Sequence, residues 1–233
     1  MSVWTRISEA LAAIRKGERL SAVFERLRTP PERSVAFTIA VIALGAKMAK
    51  ADGRVTRDEV TAFREVFRIP PSEERAAARV FNLAREDIAG FEDYAARIAR
   101  MFRSDDAPCG QDSVLCDLME GLFHIAAADG TYHPEEEAFL ARVALIFGMD
   151  EAHFRRMRAR HVPGESDAYE VLGVDPGAEL EAVRAAWRAE VRATHPDRMM
   201  ARGVPEEATK LAEKRLAAIN AAWDAIRAER GAA

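Results

Sequence analysis

VRAAWRAEVRATHPDR, residues 183–198, contains a helix, its forced end and a charged turn. Pro196 fixes its own φ, has no N–H to donate and biases His195 away from the α region, so a helix arriving at Thr194 must stop there. An imidazole and a carboxylate, His195 and Asp197, are thereby expected to stand exposed on a loop that reads as a recognition surface. Before the turn, Arg184, Arg188 and Arg192 recur every four residues. That spacing drifts only about 40° per step, so the three guanidinium groups share one stripe. Arg198 carries the positive charge past the turn. Val183, Ala186, Trp187 and Val191 form an apolar face for a neighbouring helix.

That neighbour is expected after Pro205-Glu206-Glu207, a helix start with proline in the first turn and carboxylates at the positive end of the dipole. The helix runs to about Arg230-Gly231, with Leu211, Ala212, Leu216, Ile219, Ala222, Trp223 and Ile226 as its apolar stripe. Upstream, Ala168–Val174 reads as a short helix closed by Gly173, and Asp175-Pro176-Gly177 as a turn. In this order the Tyr-Glu-Val-Leu-Gly-Val opening, the Ala-Trp-Arg of the second helix, His-Pro-Asp-Arg and Ile219–Trp223 resemble a J domain, spanning 167–233. The resemblance implies that His195, Pro196, Asp197, Arg184, Arg188, Arg192 and Arg198 dock on a DnaK-type chaperone and stimulate its ATP hydrolysis. It implies no chemistry supplied by the chain itself.

Trp187 and Trp223 stand where that family usually has tyrosine, which keeps the aromatic bulk. Glu190 stands where most relatives carry a core leucine; burying an unpaired carboxylate is costly, so it is expected to reach the hairpin edge, toward an arginine. Taken alone, the tripeptide also reads as an ordinary helix-breaking turn with His195 as a cap. No second histidine or cysteine has ligand spacing to His195, which argues against a metal there.

The chain has 233 residues, 49% hydrophobic and 31% charged, an ordinary globular balance with room for a second domain. Its net charge of −4 argues against a general nucleic-acid binder. Residues 1–164 hold 24 basic and 25 acidic side chains and residues 165–233 hold 10 and 13, so the positive charge of 184–198 is positioned rather than bulk. Cys109 and Cys116 are too few and wrongly spaced for a zinc site or a disulfide framework. Residues 1–33 read as an amphipathic helical segment rather than a signal peptide. Val35–Ala46 is the most apolar run, too short to span a bilayer and suited to a buried helix. The resulting expectation is a cytoplasmic chain without a transmembrane segment, with peripheral association with the inner membrane also compatible.

An internal echo organises residues 34–160. Ala51-Asp52-Gly53, followed by Glu59, recurs as Ala128-Asp129-Gly130, followed by Glu136, each within a helix–turn–helix pattern. Helical periodicity fills Phe81–Asp87 and Phe91–Phe102 between the copies, and no segment demands a strand, so the fold class is all-α. This region resembles the TerB domain. Asp52, Glu59, Asp129 and Glu136 can be read as converging on a divalent cation through oxygen ligands. Each also has a local role: Asp-Gly is a turn, Thr56 with Glu59 a capping box, and Pro134 with Glu135 and Glu136 a helix start. The basic run 155–160 is expected to be a solvated helix end favoured by the dipole.

Residues 161–166, with Pro163-Gly164, form the linker, short enough to keep the two modules close. A TerB-like module followed by a C-terminal J domain resembles the DjlA group, whose familiar members add an N-terminal membrane helix not found here. The expectation is a co-chaperone with no required cofactor, whose helical module serves targeting, client choice or self-association into a homodimer; the client protein is unknown. The rival expectation is a stress- or metal-responsive acidic scaffold in which the J domain is only a tether. Phosphate-binding loops, nucleophile elbows and zinc protease signatures are missing, so no enzyme is expected.

Overall fold

The computed structural model describes residue 7 and residues 32–51, 69, 71, 74–86, 90–102, 113–128, 130–162 and 167–231. Among these every regular element is helical. The amphipathic segment expected over 1–33 lies outside them except for Ile7, which is buried, and Glu32 and Arg33, which open the first described helix.

The expected buried helix is α1, Glu32–Ala51, and side chains from Val35 to Met48 are enclosed almost without interruption. A helix apolar on all sides must be surrounded. Helices α2 (Glu74–Glu86), α3 (Phe91–Phe102), α4 (Val114–Ala126) and α5 (Pro134–Phe147) all pack on it. Lys47 is the cation in this wall and lies 4.9 Å from the centroid of the Tyr94 ring, a placement that offsets part of its desolvation. Phe91 meets Phe139 at 4.4 Å, joining α3 to α5. Ser113 caps α4, and Gly148, in the left-handed region, closes α5. Helix α6, Glu151–His161, then crosses back with Asp150 as its cap.

The C-terminal module is built as its pattern requires. Helix α7 is Ala168–Leu172, α8 is Leu180–Ala193, α9 is Pro196–Arg202 and α10 is Thr209–Glu229. Asp167 accepts a hydrogen bond from the Tyr169 amide to start α7, and Gly173 at φ 68 ends it. Helices α8 and α10 pair through Val183, Ile219, Ala222, Trp223 and Ile226. The Trp187 and Trp223 rings stack at 5.3 Å, and Trp187 Nε1 donates to Asn220 Oδ1 at 2.9 Å, so tryptophan supplies both bulk and a satisfied polar tip. Arg230 folds back to donate to the carbonyls of Pro176 and Ala178 and to Tyr169 Oη, which fastens the α7–α8 loop to the end of α10.

Two local expectations change. The tripeptide does not sit on an open loop, because α8 ends at Ala193 and Pro196 already occupies the first turn of α9. Proline suits that position, where its missing N–H is not needed. The last helix begins at Thr209 rather than Pro205, since Glu206–Ala208 wind as a tighter 3₁₀ turn. Pro163–Ser166 of the linker lie outside the described residues.

The two modules are packed together. Met199, Val204, Ala208, Leu211 and Ala212 belong to the same apolar core as α1, α3, α4 and α5. Gly121 on α4 leaves space for Leu211 Cδ1, which would lie 3.6 Å from a Cβ placed there. Arg156 on α6 lies across the face of Gly173, where a β-carbon would collide with its side chain.

Candidate partner-docking surface and its buried brace

His195 and Asp197 are exposed at 59% and 81% of their side chains, and His195 Nδ1 accepts a 3.2 Å hydrogen bond from the Asp197 amide. The helix-cap role and the exposure therefore coexist. Arg184, Arg188, Arg192 and Arg198 are all exposed, and Pro196 is half-buried. Along α8 the arginines occupy the side away from Val183 and Glu190, which are enclosed. The residues the sequence placed on a docking face are thus accessible, as a stripe along α8 that leads to the turn at its C-terminal end. Met200, the next turn along α9, adds an exposed apolar side chain at 41%.

Beneath this face lies a buried ionic cluster that the sequence signals only in part, through the expected pairing of Glu190 with an arginine. Glu190 is not at the hairpin edge; it is buried at 1%, with Oε2 accepting from Arg160 at 2.9 Å and from Arg215 at 3.0 Å. Arg160 is equally far from being a solvated helix end, because its side chain is 1% exposed and also holds Glu120 at 2.8 Å. His161 Nε2 meets the other Glu120 oxygen. Asp117, fully buried, receives Arg202 through two bonds of 2.9 and 3.2 Å, and Arg215 approaches it at 3.9 Å. Three carboxylates on α4 and α8 thus face three arginines on α6, α9 and α10. Charges removed from water persist only when so paired.

The cluster reshapes protonation. Burial raises Asp117 to about 6, more than Arg202 and Arg215 lower it. Burial also acts upward on Glu120, but Arg215, His161 and Arg160 together hold its carboxyl well below the usual range. Burial and then the nearby arginines lower His153, on the inner side of α6, to about 4. A sign of the cluster exists in the sequence, since Asp117 and Glu120 interrupt an otherwise apolar helix and Glu190 falls on the apolar period of α8. Neither shows which cations they meet.

Of the four residues read as cation ligands, Asp52, Glu59 and Asp129 lie outside the described residues. Glu136 is buried and accepts the His133 amide at 2.9 Å, the helix-start role. Among the described residues no three His, Cys, Asp or Glu side chains are grouped to hold a metal ion. Cys116 is buried on α4, and Ser113 Oγ donates to its Sγ at 3.2 Å. No helix among the described residues is long and apolar enough to cross a membrane.

Comparison with known proteins agrees with this division. Residues 38–159 match the family described as Tellurite resistance protein TerB, and residues 167–230 match the DnaJ domain. The chain is 30% identical over 227 residues to the Co-chaperone protein DjlA of Photobacterium profundum, covering 86% of this chain and 80% of that protein. It is 28% identical to the protein of the same name from Vibrio cholerae, with the same coverage. To that of Escherichia coli it is 25% identical, covering 86% of this chain and 82% of the relative. No solved structure matches. A TerB domain and a DnaJ domain in this order, with similarity to such proteins along most of its length, place the chain in the DjlA family of J-domain co-chaperones.

Proposed function

We propose that this chain stimulates ATP hydrolysis by a DnaK-type chaperone, docking through His195, Pro196 and Asp197 with Arg184, Arg188, Arg192 and Arg198. The observation that supports this reading most is the exposure of the arginine stripe along α8, on the side away from the buried Val183, Glu190 and Ala193, leading to the exposed His195 and Asp197. The arginines steer an acidic partner surface toward the turn, and His195 and Asp197 make the contacts that follow. One helix face and a turn make a small interface, so the complex is transient and weakens with salt. The TerB-like domain serves targeting, client choice or self-association. The proposed mechanism draws on no bound cofactor.

Single-turnover ATP hydrolysis by a DnaK-type chaperone from the same organism tests the reading. The wild-type chain should accelerate hydrolysis and His195→Gln at equal concentration should not. Equal rates with and without the folded wild-type chain at low salt would remove the proposal.

A further inference from the structure

The His-Pro-Asp turn sits between α8 and α9, and one side chain ties both of its flanks to the other domain. Arg202, at the end of α9, donates through Nη2 to the Ala193 carbonyl at 3.2 Å, at the last residue of α8. Through Nε and Nη2 it also grips Asp117 of α4. Met199, one turn back on α9, is 3% exposed and belongs to the core shared with the TerB-like helices, as does Val204 just beyond it. Helix α9 has only seven residues. A helix this short is marginal in isolation and depends on tertiary contacts.

We infer that Asp117, in the TerB-like domain, is a positioning residue for the docking turn, holding Arg202 so that His195, Pro196 and Asp197 keep the orientation a chaperone partner requires. The consequence for docking rests on the function proposed above; the brace itself does not. Asp117 touches no partner. It lowers the cost of binding by keeping the competent conformation populated, and a turn that is competent only part of the time binds more weakly in proportion to that fraction. Arg215, 3.9 Å from Asp117 and 3.0 Å from Glu190, joins the same carboxylate to α8 through the ionic cluster.

The test uses the full chain with Asp117→Asn, which keeps shape and removes the charge, and Arg202→Lys, which keeps charge and removes the two-pronged grip. Amide hydrogen exchange should rise over 194–202 in Asp117→Asn while the α8–α10 interior at Val183 and Ile219 keeps its protection. In the chaperone assay, half-maximal stimulation should need on the order of tenfold more protein, equivalent to about 1.4 kcal/mol, with the saturating rate preserved. A general loss of structure would instead raise exchange everywhere. Folded Asp117→Asn with wild-type exchange over 194–202 overturns the inference, and so does an unchanged concentration for half-maximal stimulation. Arg202→Lys carries both readouts if Asp117→Asn does not fold. If the wild-type chain fails to stimulate, the docking function falls while the exchange comparison still decides the brace.

Discussion

Glu190 and Arg188 lie two residues apart on one helix and face opposite fates. Arg188 is exposed, and its replacement leaves no charge stranded. Arg188→Ala should therefore melt with the wild type and weaken chaperone docking, more visibly at low salt. Glu190 neutralises Arg160 and Arg215 inside the domain interface. Glu190→Ala removes one partner of a buried set and should cost roughly 3–5 kcal/mol in urea unfolding. A loss below about 1 kcal/mol would mean that water reaches the cluster. The difference between these arginines and this glutamate was half legible. Four-residue spacing around Trp187 exposes the arginine stripe without any structure, and a carboxylate on the apolar period signals that Glu190 must find a cation. Its partners come from 30 residues upstream and 25 downstream, and no local pattern connects them.

At the scale of the helices, most boundaries follow from short-range chemistry. Pro134 opens α5, Gly148 closes it, Gly173 closes α7, and Pro196 both ends α8 and begins α9. Pairing was readable in part: the stripe of α10 meets α8 through Ile219, Ala222, Trp223 and Ile226, whereas its Leu211 and Ala212 pack in the core shared with the TerB-like helices. Trp223, 9% exposed and stacked on Trp187, joins those two stripes. Trp223→Ala should cost about 3–5 kcal/mol. Hidden from the sequence was that α7 would pack on α6 of the other module as well as on α8 and α10 of its own. Gly173 shows why. Its positive φ already favours glycine, and Arg156 occupies the space a β-carbon would take. Gly173→Ala should lower stability by about 1–2 kcal/mol from backbone strain alone. The displaced Arg156 should make the loss larger, as a thermal melt would record.

On the scale of the whole molecule, a shared apolar core and a buried ionic cluster join modules that the sequence presents as separable. Sequence alone could divide the chain, because each module has its own motif. Their union depends on side chains that each look like an ordinary helix face. The same cluster predicts a pH dependence whose signs differ by group. Asp117 is raised from 3.8 to about 6, so its contribution is fully present below about pH 3.8 and is lost as pH rises through about 6. His153 is lowered from 6.5 to about 4, so its contribution is present above about pH 6.5 and is lost as pH falls through about 4. Between pH 6.5 and 4.5 the two oppose each other, and unfolding free energy should stay nearly level. Below pH 4.5 Glu120, whose carboxyl is held low, begins to lose its stabilising charge and the curve should turn steeply down. Asp117→Asn removes the compensating group, so its stability should already decline on acidification from about pH 6.5. Urea unfolding of both proteins at pH 7, 5.5 and 4.5 separates the cases. Parallel curves down to pH 4.5 would mean that Asp117 titrates in the folded protein much as it does in the unfolded chain, and that burial in the interface does not govern its proton.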